Sequence, residues 1–318
     1  MIEILKAHDG TLRRLDAVES GCWVNVCAPS DEETRWLADS LGIGDDFIDA
    51  MLDRDEISRI DKDEEAKQAL VVVDFPAAET MGDKVNPGLE QFDTQPISIL
   101  LLEKPGVVVT LTNAPCSIME RFKSDKASSI VTSKRTRLLL EVLLEVSQGY
   151  IDALRVLEKQ TMALERKMRK KQNNEGLMSM LGIEKSLLYM STSLKSSAPT
   201  LQAIKNGQFV KLFEEDEELL NDVIVEYRQA SEMCSIYTDV ITRAMDAFSG
   251  VVSNNVNASM GVLTTITLLL SIPTVVFSFY GMNTNLLPMS DSWVFPMLLS
   301  VALAAVAVVA LRRPSSMS

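Results

Sequence analysis

Hydroxyl and amide side chains recur every three or four residues near the C-terminal end of the chain. This polar stripe consists of Asn257, Met260 or Gly261, Thr264, Thr267, Ser271, Thr274 and Ser278. Followed backward, the same spacing takes in Ser253, Gly250 and the carboxylate of Asp246. A continuous row of oxygen atoms that ends in a carboxylate is suited to the wall of a watery path for cations. For any single Ser or Thr, the alternative is a hydrogen bond to its own backbone or to a neighbouring helix.

The polar stripe runs through the first of two apolar segments that are long enough to be membrane spans. Residues 262–280 and 293–311 form nineteen-residue segments, and no charged residue lies between Asp246 and Asp291. About 20 helical residues cross the roughly 30 Å hydrocarbon core of a bilayer, so the pair predicts a helical hairpin. Pro273 removes one helix hydrogen bond and is expected to kink the first span. Two buried core helices of a soluble protein are the disfavoured alternative, because both segments have full span length.

One hairpin cannot enclose a pore, so the polar stripe requires further copies of the same chain. We expect a ring-shaped homo-oligomer with the first span inside. The second span has almost no polar stripe and is expected to face the lipid bilayer. Spacing alone leaves the number of copies open.

Charge sets the predicted orientation of the hairpin. Arg312 and Arg313 follow the second span, and a two-span hairpin returns both of its ends to one side. The positive-inside tendency therefore places the N- and C-termini in the cytoplasm. Residues 1–30 lack the apolar core of a secretory signal, which agrees with that side. Tyr280 and Trp293 then lie at the outer interface of the cell membrane, where aromatic rings are favoured.

The rest of the chain is strongly acidic. The 318 residues carry a net charge of −13, and the 29 basic and 43 acidic residues before Gly250 give −14. Such a charge argues against nucleic acid as a partner and favours counter-cations. Four scattered cysteines and the single histidine, His8, cannot build a tetrahedral zinc site within one chain. Since no nucleophile elbow or Gly-rich phosphate loop is present, an enzyme is not expected.

Alternating apolar runs predict an α+β cytoplasmic domain over residues 1–130. Strands are expected in residues 1–30 (as at 23–27) and at 69–75, 97–102 and 107–111, and helices at about 30–40 and 45–52. Pro76 is expected to end the strand that precedes it.

Long helices, including a stalk that leads into the pore, are predicted over residues 131–260. The first begins near Ser133 and breaks near Asn173, the second covers 183–195 and ends before Pro199, and the third begins near Lys211 and continues into the first span. The first helix carries a heptad-like stripe. Its members are Leu143, Ser147, Tyr150, Leu154, Leu157, Thr161, Leu164 and Met168. Residues 261–318 complete the chain as the transmembrane hairpin with a short cytoplasmic tail.

At Tyr280-Gly281-Met282-Asn283 the sequence resembles the CorA family of magnesium transporters, in which a Gly-Met-Asn triplet closes the first of two C-terminal spans. The segment 257–264 is similar to the family's Asn-x-x-Met-x-x-Leu-Thr, and Pro273 is in place. Looser matches lie at 58–61, 94–97, 134–138 and 184–189. The resemblance covers nearly the whole chain and is closest from Asp222 onward.

The resemblance implies a homopentameric funnel, in which a cytoplasmic domain and stalk helices lead to two transmembrane helices per copy. It also implies that Tyr280, Gly281, Met282 and Asn283 form an outer selectivity filter for a hydrated ion, which suits Mg²⁺ because this ion loses its water reluctantly. The family's pore positions fall on Asn257, Met260, Leu263, Ser271 and Thr274.

The resemblance further assigns acidic residues to the control of transport. Asp246 matches an acidic ring at the inner mouth, and Asp222 matches a regulatory metal aspartate whose candidate partner is Glu79 of the adjacent subunit. Intracellular Mg²⁺ between subunits would then hold the pore closed at Met260 and Leu263, and its loss would let like charges repel.

The sequence departs from the family pattern at three places. Gly261 replaces a usual lysine, the C-terminal basic cluster is reduced to Arg312 and Arg313, and the external loop offers only Asp291 to attract cations. The preferred ion therefore stays open among Mg²⁺, Co²⁺, Ni²⁺ and Zn²⁺. A membrane-anchored sensor or scaffold is the other class of protein considered, although it would have no use for the polar stripe or the filter.

Overall fold

The computed structural model describes residues 1–8, 11–79, 89–125, 130–170, 174–207, 210–282 and 292–312. Its internal contacts divide the chain into two compact units, Met1–Met245 and Asp246–Ser318. The division into residues 1–130, 131–260 and 261–318 expected from the sequence stays a prediction.

The first unit contains a mixed β-sheet. Its seven strands are β1 (Ile2–His8), β2 (Thr11–Leu15), β3 (Trp23–Cys27), β4 (Arg59–Asp63), β5 (Gln68–Ala78), β6 (Phe92–Leu102) and β7 (Val107–Thr112). They lie in the order β2-β1-β3-β7-β6-β5-β4, in which β3 and β7 are parallel and the other neighbours antiparallel. The predicted strands in residues 1–30 and at 69–75, 97–102 and 107–111 are confirmed.

Pro76 does not end β5, which continues to Ala78, so that part of the prediction is wrong. Pro76 pairs with Thr94 of β6, whereas the other neighbour, β4, pairs only with residues 68–72 of β5. A central strand uses the N–H of every residue because it has neighbours on both sides, and a proline cannot supply one; at Pro76, however, β5 has a neighbour on one side only. Sheet topology, which the local sequence does not reveal, therefore permits this proline.

Seven α-helices accompany the sheet within the described residues. They are α1 (Asp31–Leu41), α2 (Asp45–Leu52), α3 (Ser117–Asp125), α4 (Arg135–Lys170), α5 (Asn174–Lys205), α6 (Glu217–Tyr280) and α7 (Val294–Arg312). The predicted helices at 30–40 and 45–52 are confirmed. Helix α1 begins with a capping box, in which the Glu33 N–H donates to Ser30 Oγ at 3.3 Å and the Ser30 N–H donates to Glu33 Oε2 at 2.9 Å.

Helices cover both faces of the sheet. Leu37 and Leu41 of α1 and Met51 of α2 pack into one core with inward-facing residues of β1, β3, β5, β6 and β7. On the other face, the ring of Trp23 lies 5.7 Å from that of Phe122 in α3, and α4 and α5 pack along β5 and β6. The result is a layered α/β unit in which strand residues alternate between the two cores.

The helices that follow agree with the prediction in part. All eight members of the heptad-like stripe on α4 are buried. Helix α5 is longer than predicted, because it begins at Asn174 and continues through Pro199 to Lys205. Burial of Leu201 and Ile204 after the proline offsets the one backbone hydrogen bond that Pro199 cannot make. Helix α6 begins at Glu217, six residues later than predicted, after a 3-10 turn at Glu214–Asp216.

Helices α6 and α7 contain the two predicted spans. Among the described residues, one helix, Glu214–Tyr280, is long and apolar enough to cross a membrane, and Val294–Ala310 is a shorter apolar helix. Helix α6 is 64 residues long and runs through Pro273 without interruption.

Candidate functional site

The polar stripe lies on the open side of α6 in the second unit. Its members from Asp246 to Ser278 are all exposed in the single chain, and so is Leu263. Exposure extends to large apolar side chains, since 61% of Met260 and 64% of Leu263 are accessible. An apolar helix surface of this extent needs to be covered by lipid or by other chains.

Four hydroxyl groups of the polar stripe donate to the backbone of their own helix. Thr264, Thr267 and Thr274 donate to the carbonyls four residues earlier at 2.8, 2.9 and 3.0 Å, and Ser271 donates to the Leu268 carbonyl at 2.8 Å. The alternative of bonding to their own backbone is therefore confirmed for these four. It leaves the hydroxyl oxygens with lone pairs, which can accept hydrogen bonds from the water molecules around a cation.

The opposite side of α6 is partly buried, which gives the span two distinct faces. Within residues 262–280, the positions that are not exposed are Thr265, Leu269, Ile272, Pro273, Val276 and Tyr280. The ring of Tyr280 lies 6.1 Å from that of Phe295 in α7, so this side includes a contact with the second apolar helix. At 100° per residue, the packed side is centred about 150° from the polar stripe. The polar stripe thus lies within the wide side of α6 that α7 leaves open.

The end of α6 carries the predicted selectivity filter. The Gly281 N–H donates to the Phe277 carbonyl at 2.9 Å, and the Met282 N–H reaches the Phe279 carbonyl at 3.4 Å. A Cβ atom added to Gly281 would lie 3.2 Å from the Phe277 carbonyl oxygen, which is closer than most real contacts of this kind. Asn283, the remaining filter residue, lies outside the described residues. Asp291 of the external loop and Arg313 of the C-terminal basic cluster also lie outside them.

The predicted regulatory residues occupy different environments. Asp222 is exposed on α6, whereas only 6% of the Glu79 side chain is accessible. Glu79 Oε1 lies 3.2 Å from Lys185 Nζ of α5, and this hydrogen bond raises the pKa of Lys185. Within the part of the chain that the structure describes, Glu79 Oε2 is buried without a hydrogen-bond partner. The pairing with Lys185 is a contact that the sequence did not predict.

No group of three or more His, Cys, Asp or Glu side chains able to hold a metal ion occurs among the described residues of one chain. The predicted regulatory site joins two copies, so a single chain does not test it. The oxygen atoms of Asp222 and Glu79 are ligands of the kind that Mg²⁺ prefers.

A buried polar network lies in the α/β unit beside the first part of α6. Ser193 Oγ donates to Asp74 Oδ2 at 2.7 Å and lies 2.6 Å from the Tyr150 hydroxyl. Burial raises the pKa of Asp74. The ring of Tyr150 also lies 6.4 Å from that of Tyr227 in α6. The first part of α6 therefore packs against α4 of the α/β unit through Tyr227.

The fold is shared with solved structures along the full length of the chain. It matches the complete structure of the CorA magnesium transporter from Methanocaldococcus jannaschii with a TM-score of 0.80 and 23% identity, covering 100% of this chain and 99% of that chain. It also matches the full-length CmaX protein with a TM-score of 0.69 and 16% identity, covering 98% and 97%. An α/β unit with long helices and apolar C-terminal helices thus defines the structural class.

Sequence comparison identifies the family within that class. A family model described as CorA-like Mg²⁺ transporter protein matches residues 18–313, so the chain belongs to the CorA-like family. A relative, the cobalt/magnesium transport protein CorA of Methanocaldococcus jannaschii, is 25% identical over 279 residues, which are 85% of this chain and 82% of the relative. The chain is therefore a divalent-cation transport protein and not an enzyme.

Proposed function

We propose that five copies of the chain form a pore in the cell membrane that conducts Mg²⁺ into the cytoplasm. Both termini lie on the cytoplasmic side, helix α6 lines the pore, and α7 lies outside it against lipid. Mg²⁺ is the transported substrate and, at a second place, the regulatory ligand.

The observation that carries this proposal is the position of the polar stripe opposite the packed side of α6. From Asp246 to Ser278 the members alternate steps of four and three residues, which is a 3.5-residue repeat. Such a repeat keeps one face of each helix toward a common axis when several helices supercoil with a left-handed twist. Copies arranged in this way bring the polar stripes together and leave α7 on the outside.

Ion recognition follows from the chemistry of that lining. Hydroxyl groups that already donate to the backbone present oxygen acceptors to the lumen, and these suit the hydrogen atoms of a hydrated cation. Mg²⁺ keeps several of its waters when it binds, so a wall of acceptors recognises it through its hydration shell. The backbone oxygens of Tyr280, Gly281 and Met282, with Asn283, form the outer filter, and Asp246 attracts cations at the inner end.

Control of the pore uses carboxylates from neighbouring copies. Intracellular Mg²⁺ binds Asp222 of one copy and Glu79 of the next, and holds the stalk helices together. Glu79 Oε2 makes no hydrogen bond within the described residues and is therefore free to accept a ligand, but the buried carboxylate must turn outward and leave Lys185 to reach the next copy. With the stalks held together, Met260 and Leu263 form an apolar constriction that excludes water.

Ion flux into liposomes that contain the purified protein tests the proposed transport. Mg²⁺ is expected to enter, and parallel measurements with Co²⁺, Ni²⁺ and Zn²⁺ determine which ion the pore prefers. Asn283→Ala is expected to abolish the flux while the oligomer remains intact by gel filtration. Absence of flux for all four ions would instead support the sensor or scaffold.

The Asp222→Asn variant tests the proposed regulation separately. Because the amide is neutral, we expect flux that no longer falls as Mg²⁺ on the cytoplasmic side increases. Asp239 is exposed on the same helix, and its Asn variant serves as the control. The flux of the Asp239→Asn protein is expected to fall, as in the wild type, when Mg²⁺ on the cytoplasmic side increases. An Asp222→Asn protein inhibited like the wild type would contradict the regulatory role of Asp222.

A further inference from the structure

A pocket in the first unit gathers basic side chains in a chain that is otherwise strongly acidic. It has a volume of about 380 Å³ and lies between the start of α4, the residues before α6 and the edge of the sheet. Its basic residues are Lys62, Lys67, Lys134, Arg135, Arg137 and Lys211. Four of these residues form ion pairs with the lining carboxylates Glu103, Glu215 and Asp216 or with the neighbouring Glu64 and Glu141, so the six positive charges exceed the negative ones by one. This charge is opposite in sign to the net charge of the chain and favours an anion.

One buried acceptor atom of a lining residue lacks a hydrogen-bond partner within the described residues. Asp216 is 1% accessible, and its Oδ1 lies 3.7 Å from Arg137 without a hydrogen bond. A buried acceptor of this kind is normally satisfied, so it indicates a ligand or water that donates a hydrogen bond. The ligand therefore carries a donor group as well as negative charge.

The pocket also contains a site suited to phosphate and a site suited to a flat apolar group. Helix α4 begins at Arg135, so the positive end of a 36-residue helix lies in the lining. Phe213 is 48% accessible, and Lys211 Nζ lies 5.3 Å from the centre of its ring. Ala69, Leu101 and Val210 extend the apolar surface beside it. An exposed aromatic ring beside cationic groups is suited to stacking with a nucleobase.

We propose that this pocket binds a nucleoside phosphate. The phosphate groups contact the basic side chains and the start of α4, and the base stacks on Phe213 with an amino group donating to Asp216 Oδ1. The volume lies in the range of small-ligand sites in proteins. Inorganic phosphates share the anionic part of this chemistry but lack the base.

Isothermal titration calorimetry on the full-length protein in detergent tests the proposal. ATP is titrated in the presence of EDTA, so that no divalent ion can bridge its phosphates to the acidic surface. We expect saturable binding that weakens roughly tenfold or more in the Lys67→Asn/Lys211→Gln double variant, because each lost contact to a charged group costs about that factor. Both lysines are exposed, and asparagine tolerates the positive φ of 55° at position 67.

A matched double variant removes the same charge elsewhere. Lys159 and Lys167 are exposed on α4, about 36 Å or more from the start of that helix, and the Lys159→Gln/Lys167→Gln protein is expected to bind ATP as the wild type does. Equal ATP affinity in the wild type and the Lys67→Asn/Lys211→Gln protein would overturn the proposed site. Absence of saturable ATP binding to the wild type would do the same.

The Phe213→Ala variant distinguishes a nucleoside phosphate from inorganic phosphates. It is expected to weaken ATP binding several-fold and to leave the affinity for tripolyphosphate unchanged. Wild-type protein that binds tripolyphosphate and ATP equally well would overturn the nucleoside part of the proposal. These measurements need no ion flux, so their outcome is independent of the proposed transport.

Discussion

Replacing Thr274 by valine tests whether the open face of α6 lines the pore. Valine keeps the shape of threonine but lacks the hydroxyl oxygen, so the substitution removes one acceptor from each copy's polar stripe. The lost bond to the Leu270 carbonyl, 3.0 Å long, lies within the helix itself. We expect the helix to persist and the Mg²⁺ flux to fall.

The size of the effect follows from the number of acceptors lost around one ion. A net hydrogen bond contributes about 0.5–1.5 kcal/mol. If the hydration shell of one ion contacts Thr274 in two of the copies, the loss is about 1–3 kcal/mol. Since every 1.4 kcal/mol is a factor of ten, the Mg²⁺ flux should fall by roughly 5- to 100-fold.

Thr265→Val is the matched control. Thr265 also donates to the carbonyl four residues earlier, at 2.8 Å, but it lies on the partly buried side of the helix. Both substitutions therefore remove the same local hydrogen bond and differ only in the face from which the oxygen is lost. The flux of the Thr265→Val protein is expected to stay within about twofold of the wild type.

A fluorescent Mg²⁺ indicator inside liposomes, followed after rapid mixing, measures the initial rate of entry for the three proteins. Gel filtration confirms that each keeps the same oligomeric state. Equal rates for the Thr274→Val and Thr265→Val proteins would refute the assignment of the open face to the lumen. Slower entry through the Thr265→Val protein would indicate that the packed face lines the lumen instead.

Three further substitutions test the filter and the electrostatics of the first unit. Gly281→Ala places a methyl group 3.2 Å from the Phe277 carbonyl oxygen, so the Mg²⁺ flux should fall at least tenfold with the oligomer unchanged. Asp74→Asn removes a carboxylate whose pKa burial raises, so Tm at neutral pH should rise by roughly 2–4 °C. This gain should vanish in acid, where Asp74 of the wild type is protonated, and a gain independent of pH would contradict the reasoning. Glu3→Gln breaks the mostly buried 2.6 Å pair with Lys123, whose hydrogen bond lowers the pKa of Glu3. Tm should therefore fall at neutral pH, and the difference from the wild type should shrink as the pH drops below 4.5 through the lowered pKa.

Signals that act over a few residues were readable from the sequence. The capping box at Ser30, the buried stripe on α4 and the run of apolar residues that ends α6 each depend on spacing within one or two helical turns. The family resemblance at Tyr280-Gly281-Met282-Asn283 was also readable, because its Gly-Met-Asn triplet closes an apolar segment of the right length.

Long-range contacts overrode the local signal of two prolines, each of which was expected to end its element. Pro76 continues a strand because β4 is too short to require its missing N–H. Pro199 continues a helix because the residues after it are buried. A proline signals a break on average, whereas the neighbours that the fold supplies decide each case.

The sequence by itself determined most of the elements, though not β4 or α3, together with the uncharged span and the row of oxygen side chains along it, because the period of a helix is a local property. Only the tertiary structure decided which side of α6 is packed and which is open, since that depends on a contact such as Tyr280 with Phe295. It also decided that Glu79 meets Lys185, 106 residues away, and that basic residues between positions 62 and 211 share one pocket. The physical reason is the same in each case: contacts between distant segments depend on sheet order and helix packing, which no local spacing encodes.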